Sequence, residues 1–174
     1  MHGLYYDSSS RSSPYDRKKA IEYAYRWAHG RNPVYVDFEN FGGDCTNFAS
    51  QCIFAGSGIM NYTPVYGWYY ENQYNRTPSW TGVEFLYSFL VNNNERGPYA
   101  IKAAIQKAEP GDIIQLSFTG DGHFGHSPVI ISTGDPPDPS NIRVAAHTDD
   151  QFDYPLTGYA YKELRLIHIL GVRI

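Results

Sequence analysis

Hydrophobic residues recur at helical spacing in the first half of the chain. Between Tyr15 and His29 the apolar positions are three and four residues apart, which predicts a helix stopped by Gly30 and Asn32-Pro33. A second helix is predicted from Cys45 to about Ala55, followed by Gly56-Ser57-Gly58. Its apolar residues follow the i, i+3, i+4, i+7, i+8 pattern of one buried face: Cys45, Phe48, Ala49, Cys52 and Ile53. Two more helices are predicted over residues 83–92 and 99–108.

Short apolar runs dominate the second half and predict strands. They cover residues 113–118, 126–131, 142–147 and 164–174, with a glycine-rich loop at 120–125 and a proline-rich turn at 134–140. Helices followed by closely connected strands indicate an α+β protein with an antiparallel sheet. We expect a polar tail or edge segment over residues 1–13 and one domain over residues 14–174.

Composition excludes several classes of function. The chain has 174 residues and a net charge of -4, without the basic excess that is typical of nucleic-acid binding. No apolar run is long enough to predict a membrane span. The N-terminal residues lack the basic start and apolar run of a signal peptide, and they leave the compartment open. Oligomeric state is also left open.

Cys45 and Cys52 are the two cysteines, and helical spacing separates them by roughly 10.5 Å along the axis. A disulfide needs Cα atoms within about 7 Å, so both are predicted to be free thiols. Cys45 follows Gly42-Gly43-Asp44 at the start of its helix, where Asp44 could cap the exposed amides. A helix N-terminus favours a thiolate and can bind an oxyanion, although a buried structural cysteine is the alternative interpretation. Cys52, in mid-helix, fits that structural interpretation.

A nucleophilic thiolate needs a base, and histidine is suited to that role near neutral pH. His126 begins an apolar strand directly after the glycine-rich loop, and His147 ends the next strand. If these strands form an antiparallel hairpin, the two histidines become neighbours. The spacing of Cys45, His126 and His147 lacks a close zinc pattern, and residues 120–125 lack the ending of a phosphate loop. We therefore predict no metal and no cofactor.

Aromatic side chains are concentrated between Tyr66 and Trp80. They form either a half-buried loop at the edge of the core or a groove for an extended or sugar-containing ligand.

Several segments together resemble a known family. The run Gly42-Gly43-Asp44-Cys45-Thr46-Asn47-Phe48 resembles the nucleophile helix of the bacterial putative amidase domain family, a relative of the NlpC-type and CHAP cell-wall hydrolases. The segments 109–114, 125–130 and 144–148 resemble its Pro-Gly-Asp strand entry, its histidine strand and the following strand. The resemblance covers most of residues 14–172 and implies a papain-like core, with the N-terminal helices packed on the antiparallel sheet.

By this resemblance Cys45 is the nucleophile, His126 the base and His147 the residue that orients His126, giving a Cys-His-His triad. Asp149 is an alternative orienting residue. Tyr35 is expected near the oxyanion site, and Trp68 in the substrate groove. The implied activity is thiol-dependent hydrolysis of a peptide or peptidoglycan-type amide through a thioester. A binding module on the same fold and an acyl transferase are the alternatives.

Overall fold

The computed structural model describes residues 11–174. They form a mixed α/β structure in which four helices pack on a curled antiparallel sheet. The helices are α1 (Arg17–Trp27), α2 (Cys45–Ser57), α3 (Pro78–Thr81) and α4 (Val83–Asn92). The strands are β1 (Ser12–Ser13), β2 (Tyr70–Asn72), β3 (Asn75–Arg76), β4 (Gly97–Ala103), β5 (Ile113–Ser117), β6 (Val129–Ser132), β7 (Arg143–Ala146), β8 (Gln151–Pro155) and β9 (Glu163–Arg173).

The long strand β9 organises the main sheet. The strand order is β1-β9-β5-β6-β7-β8, and β4 also pairs with β9. Because β4 and β5 both pair with Leu166 and Ile167, they must lie on opposite edges of β9. The consecutive pairs β5-β6 and β6-β7 are antiparallel, as the sequence predicted, and β7 pairs antiparallel with β8, which the sequence did not predict. Residues 1–10 of the predicted tail lie outside the described residues, whereas β1 adds to the sheet.

The core consists of two apolar clusters on the two faces of this sheet. The larger cluster contains buried residues of α1, α2 and α4 together with alternate residues of the strands, such as Ile113, Val129 and Ala145. The second contains the intervening strand residues, such as Ile114, Ile130 and Val144. This division follows from the alternation of side chains along a strand.

Helix α2 is buried on nearly all sides and extends two residues beyond its predicted end. Gly58, with a φ of +64°, terminates it, and Gly56 lies inside it. A Cβ at Gly56 would overlap the ring of Tyr15 and the carbonyl of Asp16. This close approach lets the start of α1 lie directly against α2, which explains a glycine at a helical position.

Two sequence predictions of secondary structure are wrong. Residues 99–108 do not form a helix, because Gly97–Ala103 form strand β4, which pairs with β9. The aromatic segment, which the sequence predicts to be an irregular loop over residues 59–82, contains the β2-β3 hairpin and helix α3. In both segments, tertiary pairing and packing outweigh the local sequence preference.

Candidate functional site

Cys45 is the first residue of α2, as the sequence predicted. Gly42 and Gly43 precede it with φ values of +107° and +100°, a conformation that residues with a Cβ rarely adopt. This turn brings the chain sharply into the helix and leaves Cys45 only 7% exposed. Both cysteines are free and buried, so the prediction of two free thiols is confirmed.

Asp44 occupies the N-cap position but does not cap the helix with its side chain. Its Oδ1 instead accepts hydrogen bonds from the backbone amide of Phe38 at 2.9 Å and from Nδ2 of Asn47 at 2.8 Å. Its Oδ2 lies 2.5 Å from Nδ1 of His147. The prediction that Asp44 caps α2 is therefore wrong, and the first-turn amides of α2 are left without a side-chain cap.

His147 joins β7 to both N-terminal helices. Besides its contact with Asp44, its Nε2 lies 2.8 Å from the backbone oxygen of Trp27, and its ring stacks on Phe48 with centroids 4.0 Å apart. A carboxylate and a carbonyl only accept hydrogen bonds, so both ring nitrogens must donate. His147 is 1% exposed and Asp44 is fully buried, so this contact lies out of reach of solvent.

The turn that follows β7 adds further contacts at the start of α2. Oγ1 of Thr148 accepts a hydrogen bond from the Asp44 amide at 3.1 Å and donates to Glu39 at 3.2 Å. Asp150 accepts two hydrogen bonds from the Arg31 guanidinium, at 2.9 and 3.0 Å. The residues 147–150 thus fix the start of α2 against the end of the sheet.

His126 lies in a separate, largely apolar environment. It is 6% exposed, and its ring lies near those of Phe118 and Tyr159, with centroid distances of 6.4 and 5.2 Å. Its Nε2 is buried without a hydrogen-bond partner. Burial lowers the pKa of His126 to about 4, although the charge of Asp149 acts in the opposite direction. The imidazole is consequently neutral at neutral pH.

The Cys45 thiol is also neutral in this structure. Burial raises the pKa of Cys45, and hydrogen bonds from Thr46 and from the Ser127 backbone lower it only in part. The sulfur lies 3.7 Å from Oγ1 of Thr46. The hydrogen bond with the Ser127 backbone places the sulfur beside the residue that follows His126 in sequence. The described hydrogen bonds include none between Cys45 and His126 themselves.

His126 and His147 do not meet, because His147 lies in the turn after β7, where the strand pairing has ended. The ring of His126 packs near Tyr159, whereas the ring of His147 stacks on Phe48. Because His147 has Asp44 and Trp27 as partners, we do not assign it the orienting role. Asp149, whose charge acts on His126, is the alternative that remains.

Trp68 and Tyr35, the two aromatic residues predicted to bind substrate, both pack against other side chains of the protein. Trp68 is fully buried and donates its indole N–H to Ser50 at 3.0 Å, so it cannot line an open groove as predicted. Tyr35 is half-buried and stacks on Trp80 with centroids 5.8 Å apart. Burial raises the pKa of Tyr35 to about 12. Much of the aromatic run thus packs against the core. This agrees with the sequence interpretation of a half-buried loop at the edge of the core.

Sequence reasoning missed Tyr159, which follows the unpredicted strand β8. Its hydroxyl is buried and has no hydrogen-bond partner, like Nε2 of the neighbouring His126. Burial raises the pKa of Tyr159, with further contributions from Tyr154, Cys45 and Asp149. These effects place the phenol in the same environment as the candidate nucleophile and base. A single tyrosine among sixteen carried no pattern that could have distinguished it.

Within residues 11–174, no three His, Cys, Asp or Glu side chains are grouped closely enough to hold a metal ion. No helix in this part of the chain is both long and apolar enough to cross a membrane.

The fold and site define a mixed α/β protein with a buried cysteine at a helix N-terminus against an antiparallel sheet. The chain belongs to the family described as "Putative amidase domain", whose model matches residues 14–170. This description indicates amide hydrolysis in general terms. The chain is 34% identical over 129 residues to the uncharacterized protein YhbB of Bacillus subtilis (strain 168), covering 72% of this chain and 40% of that protein. No solved structure matches.

The buried Asp44–His147 pair should stabilise the fold strongly. Asp44→Ala or His147→Ala removes one partner of this buried pair, so each should lower the free energy of unfolding by about 3–5 kcal/mol. In a double-mutant cycle followed by urea denaturation, we expect the two losses to be strongly non-additive. The exposed pair Lys18–Glu22, at 3.7 Å, is the control and should show a coupling below about 1 kcal/mol. Additive losses at Asp44 and His147 would contradict the assignment.

The environment of His126 predicts a pH dependence of stability. Because its pKa falls from 6.5 to about 4 on folding, the unfolded chain binds more protons between these values, and stability should decrease as pH falls through that window. Urea unfolding at several pH values should show a shallower decrease for His126→Asn than for the wild type. His29→Asn, at an exposed histidine, is the control and should keep the wild-type slope. Parallel slopes for wild type and His126→Asn would rule out the buried, neutral imidazole.

Proposed function

We propose that this protein is a cysteine-dependent amide hydrolase with a papain-like core, related to NlpC-type and CHAP enzymes. Cys45 is the nucleophile and His126 is the base. The observation that carries the proposal is a thiol in a helical turn without a side-chain cap, hydrogen-bonded to the backbone of Ser127. The preceding residue, His126, has a buried imidazole nitrogen without a partner.

The first step transfers a proton from the Cys45 thiol to Nε2 of His126 as the sulfur attacks the substrate carbonyl carbon. A neutral thiol and a neutral imidazole are the correct starting states for this transfer, in which the imidazole acts as a general base. His126 must rotate toward the sulfur, and this rotation breaks no hydrogen bond at Nε2, because that atom has none. The charge of Asp149 favours the imidazolium that forms.

The attack places a negative charge on the carbonyl oxygen. We assign two donors to this oxyanion, the backbone amide of Cys45 and the phenol of Tyr159. The first lies in the uncapped turn of α2, where the helix dipole also favours negative charge. The raised pKa of Tyr159 keeps its proton in place as a hydrogen-bond donor.

Collapse of this intermediate breaks the C–N bond, and His126 gives its proton to the leaving amine. Water then attacks the thioester, with His126 again acting as base, and releases a carboxylic acid and the free thiol. The substrate class that we propose, from the family resemblance, is a peptide or peptidoglycan-type amide.

Access to this site requires movement. Cys45 and His126 are 7% and 6% exposed, and Phe118 and Tyr159 cover the imidazole. The loop of residues 118–125, with Gly120 and Gly122 at positive φ, is the segment best suited to open. The same burial favours a second candidate function, a binding module that holds such a substrate without cleaving it.

Covalent labelling tests the nucleophile. With p-nitrophenyl acetate we expect one acetyl group on Cys45, detected by mass spectrometry of tryptic peptides. Cys45→Ala should remove the adduct, whereas Cys52→Ala, at a fully buried control position, should retain it. With peptidoglycan as substrate, the wild type should release new amino groups and Cys45→Ala should release none. Substrate binding without either product would favour the binding module, and acylation followed by transfer to an added amine would favour a transferase.

Tyr159→Phe tests the second oxyanion donor. Removing one such donor costs about 10²–10³ in rate in well-studied hydrolases, so we expect acylation of Cys45 to slow at least tenfold. The substitution leaves the buried ring in place, so the melting temperature should not fall. Tyr154→Phe, at the ring that packs on Tyr159 with centroids 5.1 Å apart, is the control and should leave the rate unchanged. An unchanged acylation rate in Tyr159→Phe would remove the phenol from the mechanism.

A further inference from the structure

A cavity of about 420 Å³ lies outside the candidate active site. One wall is the loop of residues 61–66, and the other is formed by Phe85, Ser88 and Asn92 of α4 with the turn of residues 93–95. Nothing in the proposed hydrolysis uses these side chains.

Two aromatic side chains at this cavity face solvent to an unusual extent. Tyr66 is 84% exposed and Phe85 is 61% exposed. Large aromatic side chains are normally buried for most of their area, so two exposed rings at one cavity indicate a surface that binds flat apolar groups.

The polar groups that accompany these rings are almost all neutral. Asn92, Asn94 and Ser88 are exposed and contribute amides and a hydroxyl, and Glu95 is the charged residue among those lining the cavity. Such groups can both donate and accept hydrogen bonds, which suits a ligand rich in hydroxyl and amide groups. The near absence of charge disfavours a strongly charged ligand, because its charge would lose water without gaining a partner.

The loop that carries Tyr66 is held rigidly. Asn61 and Trp68 exchange two backbone hydrogen bonds, of 2.9 and 2.8 Å, that close it. Inside it, the Tyr66 amide donates to the Pro64 carbonyl at 2.7 Å, a γ-turn that gives Val65 a φ of +66°. A β-branched residue rarely adopts this strained conformation, and such strain is often found at binding sites. The ring of Tyr66 is therefore presented on a preorganised loop.

Phe85 also lines a second cavity, of about 360 Å³, whose other walls include Arg76, Pro78 and Gly82. The two cavities share the ring of Phe85, and we refer to them together as the groove. Arg76 is the charged residue that the second cavity adds. Glu84, in the same first turn of α4, accepts a hydrogen bond from the Phe124 amide at 3.1 Å, two residues before His126.

We propose that this groove binds a neutral oligosaccharide that carries hydroxyl or acetamido groups. The rings of Tyr66 and Phe85 stack on the apolar C–H faces of successive sugars, and the amides of Asn92 and Asn94 bind the equatorial polar groups. This binding is independent of the proposed hydrolysis, because it uses none of the residues assigned to that reaction.

Nuclear magnetic resonance titration of the full chain with N-acetylglucosamine tetramer tests this assignment. The Cys45→Ala variant is used, so that the result does not depend on turnover. We expect saturable chemical-shift changes confined to residues 61–66, 76–82 and 85–95. Tyr66→Ala and Phe85→Ala should each raise the dissociation constant by about tenfold. Tyr74→Ala, at a tyrosine that is 90% exposed and lines neither cavity, should leave it unchanged.

Three outcomes would overturn the proposal. They are an absence of saturable shifts, shifts confined to another surface, and equal weakening by Tyr74→Ala and Tyr66→Ala. Because Tyr66 and Phe85 are exposed, their substitution should not unfold the chain, and thermal unfolding of each variant checks this. Loss of hydrolysis in Cys45→Ala together with retained sugar binding would separate the two proposals.

Discussion

The hydrogen bond between Asp44 and His147 is the interaction on which the position of the candidate site depends. It joins the residue before Cys45 to the residue after β7, so it fixes the start of α2 against one end of the sheet. Both partners are essentially inaccessible to water, and such a pair is stable only if its remaining hydrogen-bonding atoms are also satisfied. Here they are, because Asn47 and the Phe38 amide bind the other Asp44 oxygen, and the Trp27 carbonyl binds the other His147 nitrogen.

This interaction has an electrostatic consequence for the neighbouring thiol. An N-cap carboxylate that bonded the first-turn amides would occupy the groups that an oxyanion needs. Because the carboxylate of Asp44 turns toward His147 instead, those amides keep their capacity to stabilise negative charge. The cost is that burial, together with the charge of Asp44, raises the pKa of Cys45. The resting protein therefore carries a neutral thiol, and the proposed hydrolysis requires its proton to be transferred during attack.

Local sequence patterns predict much of this architecture. The parts that they do not predict are set mainly by contacts between residues distant in sequence. The buried face of α2 and the position of Cys45 followed from helical periodicity. Strand β4 did not, because its Ala-Ile-Lys-Ala-Ala segment favours a helix in isolation and becomes a strand through its pairing with β9. Strand β8, whose sequence Gln-Phe-Asp-Tyr-Pro contains no apolar run, was also missed. The two histidines were correctly placed near neighbouring strand ends, but the prediction that they become neighbours is wrong, because His147 lies in a turn and contacts Asp44 instead.

The two orphaned atoms at the site, Nε2 of His126 and the hydroxyl of Tyr159, are the strongest indication of chemistry. A buried polar group without a partner costs about 1–3 kcal/mol, and native proteins contain few of them. Among the described residues three such side-chain atoms occur, and one of them, Nε of Arg31, lies 3.7 Å from the Asp44 carboxylate. The other two lie on the adjacent rings of His126 and Tyr159, and the free thiol of Cys45 acts electrostatically on Tyr159. A purely structural role would gain stability if His126 and Tyr159 were replaced by apolar residues of similar size. Their retention is understandable if a substrate amide supplies the missing partners, since its carbonyl oxygen can accept from Tyr159 and its leaving nitrogen can receive the proton held by His126.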